Sequence, residues 1–253
     1  MKKITDFTKQ YWITVLLFIG LFFLYKYVTD MGWLDPVLFP TVDKIGDSLS
    51  RNLDTMPTNF VASMSILIPS LIIGSAVALG IGVPMGLYVR FRKTVYPLIY
   101  AISVIPAILL SPFALHMMPN FFMASIFLIV YGSIWAMLFS TINGIMTIDK
   151  RYFDNADTLK LTGFKRLFHV ILPAAMPSIM AGMVTSLRGA FLMLCFAEMY
   201  GSQYGMGYFV KRYADMGLFD NMWAGFIFMT IVLVIIMQIF EKIKNYVLRW
   251  TID

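Results

Sequence analysis

Charge is what this chain lacks most. Of its 253 residues only 13% are Asp, Glu, Lys or Arg, while 59% are hydrophobic, and the mean hydropathy is +0.77. Soluble domains carry about 25% charged residues to keep a wet surface. A soluble enzyme is therefore excluded, and lipid is the expected solvent for most of the chain. Cysteine is nearly absent: the single Cys195 forbids an intramolecular disulfide, leaves the compartment unread, and suits a packing role. Histidine is as scarce. His116 is expected at the outer interface and His169 at a surface or interface, with no second histidine beside either to complete a metal site. A phosphate loop is missing too, since Gly80-Ile81-Gly82-Val83-Pro84-Met85-Gly86 follows no strand and precedes no Lys-Ser or Lys-Thr. If ATP is used, another subunit must bind it. The 20 methionines and 16% aromatics fit gap filling and interfacial belts rather than a cofactor box, and no catalytic, cofactor or metal site is assigned.

What the chain has is long apolar runs. They cover residues 11–28, 61–89, 95–118, 121–148, 177–200 and 222–240, and each supplies the roughly 20 helical residues that span a hydrocarbon core of about 30 Å. The expected fold class is an all-α membrane protein of six transmembrane helices. Lys26 lies near enough to the end of its run to snorkel.

Lysine and arginine set the orientation. With the N-terminus inside, Lys2, Lys3, Lys9, Arg90, Arg92, Lys93, Lys150, Arg151, Lys160, Lys165, Arg166, Lys242, Lys244 and Arg249 are cytoplasmic, and only Lys44, Arg51, Lys211 and Arg212 are outside. The excess of basic residues inside places both termini in the cytoplasm. The net charge of +6 is spread over membrane-flanking loops with no single patch or reader motif, so nucleic acid is not an expected partner. Anionic lipid accounts for these charges. The basic start ahead of an apolar run imitates a signal peptide, but no A-x-A site follows, and a retained first helix is expected.

Residues 1–58 read as a first transmembrane helix followed by an outer amphipathic helix, in which Val42, Ile45, Leu49 and Leu53 share one face behind Pro40-Thr41. Residues 59–253 form the core. In its first span Gly74, Ala78, Gly82 and Gly86 recur every four residues, a groove of small side chains that suits close helix packing within the chain or a seam between two copies. The third span of the whole chain carries Pro97, Pro106 and Pro112. Proline removes backbone donors and breaks helices, and broken backbone at membrane depth survives only where it is buried or lines a wet cavity, so Pro106 to Pro112 is a candidate pathway wall. In the fifth span Arg188 and Glu198 stand about 15 Å apart along the axis and about 80° apart around it, too far to pair. Arg188 is expected to face the protein interior and serve the pathway or a gate, the alternative being a structural bridge. Glu198, nearer the outer end, suits either role.

The most informative stretch is residues 149–176, a charged amphipathic elbow between the fourth and fifth runs, with Leu161, Phe164, Leu167, Phe168 and Ile171 at helical spacing. A short helix, a turn and a second helix through Phe164 to Leu172 are expected, with Pro173 redirecting the chain. The segment resembles the coupling loop of bacterial ABC importer permeases, written E-A-A, three residues, Gly, nine residues, Ile-x-Leu-Pro. Asp154-Asn155-Ala156 occupies the E-A-A place, Lys160 the Gly place, Val170 the Ile place, and Leu172-Pro173 closes the pattern. A left-handed turn at Lys160 would cost about 1 kcal/mol, so the turn is expected to move to Thr162-Gly163.

The taurine, alkanesulfonate and nitrate permeases are similar at further places: Ile105-Pro106-Ala107 with Ser111-Pro112, then Arg188, Ala197-Glu198 and Gly205-Met206-Gly207-Tyr208. The resemblance implies a type I, binding-protein-dependent importer permease of the bacterial inner membrane. It implies a second permease copy, an extracytoplasmic substrate-binding protein, and two ATPase subunits that hold ATP and Mg and contact Asp154, Asn155, Ala156, Asp157, Lys160, Gly163, Phe164, Leu172 and Pro173. The solute implied is a sulfonate, nitrate or vitamin precursor. A rival reading is an ion-coupled carrier or channel, which should show broken helices in matching halves. A membrane enzyme would need a cluster of His, Cys or carboxylates at membrane depth.

Overall fold

A computed structural model describes the backbone of residues 2–251 and the side chains of residues 12–250. The side chains of Lys2, Lys3, Lys9 and Tyr11 lie outside the described residues. In chain order the helices are α1 (Lys2–Asp30), α2 (Val42–Arg51), α3 (Met56–Leu87), α4 (Val89–Ser103), α5 (Ser111–Met117), α6 (Phe121–Met146), α7 (Lys150–Thr158), α8 (Gly163–Arg166), α9 (Leu172–Gly201), α10 (Met206–Asp215) and α11 (Phe219–Val247). Among the described residues five stretches are long and apolar enough to cross a membrane: Trp12–Asp30, Met56–Leu87, Phe121–Met146, Gly163–Gly201 and Phe219–Val247. A bent pair, Val89–Ser103 and Ala107–Met117, meets at 80° and adds a sixth only if its two arms count as one span.

The proline pattern explains which span breaks. Pro69 and Pro84 lie inside α3 and Pro97 inside α4 without ending either helix, and Pro112 sits in the first turn of α5, where a missing N–H removes no bond. Pro106 differs. Its backbone is extended at φ −63°, ψ 126°, and the bend falls at residues 104–106, at the N-terminal end of the Pro106–Pro112 stretch.

Contacts divide the chain into two compact units, Thr58–Tyr208 with Met229–Asp253, and Met1–Pro57 with Phe209–Phe228. The larger unit is built on the antiparallel pair α6 and α9. The two backbones close up where side chains are small: a Cβ on Gly144 would stand 2.6 Å from Cβ of Ser178, and one on Gly182 would stand 2.5 Å from Cβ of Ser140. One turn beyond Gly182 the Ser186 hydroxyl, buried on α9, donates to the Ser133 carbonyl at 2.6 Å and accepts from the Met137 amide at 3.1 Å. Ser133 and Met137 are four apart, so Ser186 enters the hydrogen-bond ladder of α6 itself. Helix α3 lies along α6 in the same direction, with Gly82 set against Thr141 and Gly86 against Ile145, where an added Cβ would come within 3.0 Å and 2.7 Å. Ala78 is fully buried, and a Cβ on Gly74 would only touch Val130 at 4.0 Å. The guanidinium of Arg92 donates to the Met85 and Gly86 carbonyls at 2.9 and 3.0 Å, a cation satisfying the orphan acceptors at the C-terminus of α3.

The smaller unit packs Ile45, Met56, Phe209 and Ala224 together, with Tyr25, Leu49 and Trp223 around them. Its interior is partly polar. Asn221 Oδ1 accepts from the Ser48 hydroxyl at 2.5 Å and from Asn52 Nδ2 at 2.7 Å. The inward face of α2 is accordingly Ile45, Ser48 and Leu49 with Asn52. Leu53, expected on that face, lies beyond the last residue of α2 and is 58% exposed, because the helix ends at Arg51 and the chain turns.

Candidate functional site

The elbow is a capped helix joined to a long one. Helix α7 starts at Asp149, whose carboxylate accepts from the Arg151 amide at 2.9 Å and meets the Arg151 guanidinium at 2.7 Å. The Arg151 side chain first, and its amide second, hold the Asp149 carboxyl down to about 2. The helix closes on a Schellman motif, with the Leu161 amide donating to the Ala156 carbonyl at 2.9 Å and the Lys160 amide to the Asp157 carbonyl at 3.0 Å. That motif requires a left-handed residue, and Lys160 adopts it at φ +52°. The expected shift of the turn onto Gly163 therefore does not occur; Gly163 is left-handed as well, at φ +54°, and opens α8. Two bonds and a closed helix end outweigh about 1 kcal/mol of local strain.

Pro173 does not redirect the chain. Helix continues from Gly163 to Gly201, with a π turn at Leu167–Ile171 directly before α9. In a regular helix the Pro173 ring would press on the carbonyl of His169, and the widened turn contains that residue. Arg166 fastens the two arms: it donates to Asp157 Oδ1 at 2.8 Å, and its guanidinium lies 5.4 Å from the centre of the Phe153 ring. Ala156 is fully buried, whereas Asp154, Asn155, Asp157, Lys160 and Phe164 are exposed, Phe164 by 79%. Leu172 and Pro173 are half-buried. Beside the elbow a cleft of about 500 Å³ is lined by Leu87, Tyr88, Phe153, Phe164, Arg166 and Leu167, among others.

At the bend, Pro106 cannot donate to the carbonyl of Ile102 four residues earlier. The Tyr131 hydroxyl on α6 does so instead, at 2.6 Å, and also reaches the Ile105 carbonyl at 3.3 Å. Patterning within one segment could not reveal this partner, but the missing donor at Pro106 announces that one is needed. An apolar pocket of about 510 Å³ opens alongside, lined by Ile99, Ile102, Tyr131, Ile134 and Leu138 with neighbouring apolar residues. Pro106 and Pro112 are themselves exposed.

Arg188 sits about 24 Å from Leu172 and about 20 Å from Gly201 along α9, at the middle of a span. It was expected to face the protein interior. Within this chain it is exposed, in a stripe with Ala181, Thr185 and Leu192, because the opposite face of α9, with Gly182, Ser186 and Ala190, is the one that packs on α6. Among the described residues Arg188 has no hydrogen-bond or ion-pair partner. Glu198 has the opposite environment. It is 1% exposed, receives the Gly207 amide at 2.7 Å and a hydrogen bond from Ser63. One carboxyl oxygen, Oε1, has no partner. The Gly205 and Met206 amides are taken by Asn59 at 2.9 Å and Ser63 at 2.9 Å, so Glu198 anchors the turn after α9. The thiol of Cys195 rests on the sulfur of Met229 at 3.4 Å, and His116 Nδ1 lies 2.7 Å from the Pro112 carbonyl.

Apolar helices long enough to span a bilayer, joined by a hydrophilic elbow, define a polytopic membrane protein. The chain belongs to the family of binding-protein-dependent transport system inner membrane components, which it matches over residues 70–252. It is 27% identical to a putative aliphatic sulfonates transport permease protein of Bacillus subtilis, over 71% of this chain and 65% of that protein. The chain thus matches less than two thirds of that relative's length. It is 22% identical to a formylaminopyrimidine transport permease protein of Halalkalibacterium halodurans, over 85% of this chain and 86% of that one. With a nitrate import permease protein of Synechocystis it shares 25% identity over 63% and 60% of the two chains. Two crystal forms of the inward-facing MetNI methionine ABC transporter superpose with TM-scores of 0.59 and 0.60 at 16% and 17% identity. They cover 74% and 76% of this chain and 95% and 97% of theirs. The fold is that of a type I ABC importer permease.

Proposed function

We propose that this protein is the membrane-spanning permease of an ATP-driven importer in the bacterial inner membrane, working as two copies with two ATPase subunits and an extracytoplasmic substrate-binding protein. The elbow of α7 and α8 is the docking element for the ATPase; the distribution of basic residues supports its placement in the cytoplasm with both termini. The observation that carries this reading is mechanical. Arg166 ties α7 to the start of a helical path that continues to Gly201, so a displacement applied at α7 passes through one braced turn, residues 159–162, into the span. Exposed Leu159, Phe164 and Phe168 give a partner apolar surface to grip. ATP and Mg are held by the partner, and closure of its dimer moves the two permease copies between outward and inward openings. The solute is of the sulfonate, nitrate or vitamin-precursor type, selected chiefly by the binding protein.

Co-purification tests the reading. An ATPase should be retained in mild detergent and lost when residues 154–164 are scrambled in a protein that still inserts. Uptake at full rate by the purified chain alone, with no ATPase present, would point to an ion-coupled carrier or channel.

A further inference from the structure

The pocket of about 510 Å³ beside the bend is lined by apolar side chains apart from Tyr131 and Trp135. The Tyr131 hydroxyl is spent on the Ile102 and Ile105 carbonyls. That leaves one indole N–H, whereas an enclosed water needs 2–4 polar partners. Left empty, the walls would forfeit their dispersion contacts, so the guest must be apolar. The shape narrows the choice. On α6 the lining runs from Met123 to Leu138, about 22 Å at 1.5 Å per residue. Burial deepens along it: Met123 and Phe127 are exposed, whereas Ile134 and Leu138, with Ile99 of α4, are buried in the core of the larger unit. One end is therefore open at the turn between α5 and α6, and the other closes on core side chains inside the span. A helix with its side chains is about 10–12 Å across, and 22 Å of one fills at least about 1,700 Å³, over three times the pocket. A staggered polymethylene chain is far thinner and advances about 1.25 Å per carbon. The slot has the length of one such chain of about 16–18 carbons.

We propose that this slot binds one acyl chain of a membrane phospholipid, with the terminal methyl against Ile99 and Leu138 and the headgroup at the turn between α5 and α6. Asn120 in that turn is exposed and caps α6 through its side-chain oxygen, which leaves its amide nitrogen to donate to a headgroup ester. In the orientation proposed above the lipid belongs to the outer leaflet, but the slot itself requires only that the chain spans a bilayer. Bilayer tails are as apolar as the walls, so occupancy is set by fit and not by a hydrophobic drive. The guest lies against Ile99 and Ile102, the last turn of α4 before the 80° bend, and supplies the packing that the departing arm of the bent pair gives up.

Trp135 in the wall reports on the guest. In the full chain in excess detergent, with Trp12→Phe, Trp33→Phe, Trp223→Phe and Trp250→Phe, phosphatidylethanolamine carrying a dibrominated eighteen-carbon chain is added at a few molecules per protein. Bromine quenches an indole that it touches, so a loss of roughly half the fluorescence or more is expected, with a plateau at one lipid per chain. Trp135 lies about 18 Å along α6 from Met123, so bromine near the methyl end should quench more than bromine near the headgroup. Val77→Phe or Ile73→Phe, which narrow the open side on α3, should remove the plateau. Unbrominated lipid of the same chain length should displace the guest, and ten-carbon chains should do so about tenfold less well or worse, for want of wall contacts. Unquenched Trp135 overturns the proposal, as does quenching that rises without a plateau and survives both Phe variants, or displacement indifferent to chain length. Quenching that appears only after associated copies are separated assigns the slot to a second copy and equally overturns it. Should the tryptophan replacements prevent purification, native mass spectrometry of the unaltered protein decides: one phospholipid retained per chain and lost in Val77→Phe supports the site, and none retained refutes it. Every one of these outcomes leaves the ATPase docking of the elbow untouched.

Discussion

The Tyr131 hydroxyl donates to the Ile102 carbonyl at 2.6 Å, supplying from α6 the donor that Pro106 withholds from its own helix. The bend in the third span is thereby tied to the helix at the centre of the larger unit. Tyr131→Phe keeps the ring contacts to Phe127 and Trp135 and removes this bond together with the longer one to the Ile105 carbonyl. Cross-helix hydrogen bonds in membranes average about 0.6 kcal/mol with a maximum near 1.7, and a loss in that range is expected for unfolding in mixed micelles. Unchanged stability would mean that the Ile105 amide, which donates to the same carbonyl at 3.1 Å, satisfies it alone.

Lys160 provides a second test, since its left-handed backbone serves a hydrogen-bonded helix end. Lys160→Gly should leave the Schellman motif intact and raise stability by up to about 1 kcal/mol. Lys160→Val, with a branched side chain in the same conformation, should lower it by more than Gly raises it. Thermal unfolding of the detergent-solubilised protein reads both. If Gly and Val behave alike, the turn has moved elsewhere in solution.

The cap of α7 sets a pH window. Asp149 is held down to about 2 from an ordinary 3.8, so its contribution to the folded elbow is complete above about 3.8 and is lost as pH falls through about 2. Carbon-13 NMR of the labelled Asp149 carboxyl should show a midpoint near 2. Arg151→Ala removes the first cause of that shift and should move the midpoint toward 3.8. High salt should move it in the same direction, because the pair is exposed.

Glu198 and the turn after α9 make a fourth prediction. Gly205 has φ +128°, and a Cβ there would stand 2.5 Å from Glu198 Oε1, so Gly205→Ala meets both strain and overlap and should lower stability by about 1–3 kcal/mol or more. Glu198→Ala leaves the buried Gly207 amide without an acceptor, a loss of about 1–3 kcal/mol. Glu198→Gln retains an amide oxygen and should be milder. Denaturant unfolding that ranks Gln as harmful as Ala would show that the negative charge, and not an acceptor, is what the turn requires.

Length and periodicity of apolar residues determined the helices and the membrane as solvent, since hydropathy is a property of each residue and survives without knowledge of its neighbours. The same holds for the elbow, whose charge between Ile148 and Pro173 marks it as wet; the prolines made the third span a candidate for breaking, but Pro69, Pro84 and Pro97 lack the same donor inside continuous helices, so the fold chose Pro106. Tertiary structure alone decided which face of α9 is covered. Gly182, Ser186 and Gly189 turn toward α6, and Arg188 is left bare by that choice, against the expectation that an intramembrane cation points inward. It also decided that Lys160 rather than Gly163 closes α7, because two backbone bonds on one side of the turn outweigh a propensity counted residue by residue. Donor and acceptor pairs such as Ser186 with Ser133, or Tyr131 with Ile102, join residues 53 and 29 positions apart, and a local pattern holds no record of a partner at that distance.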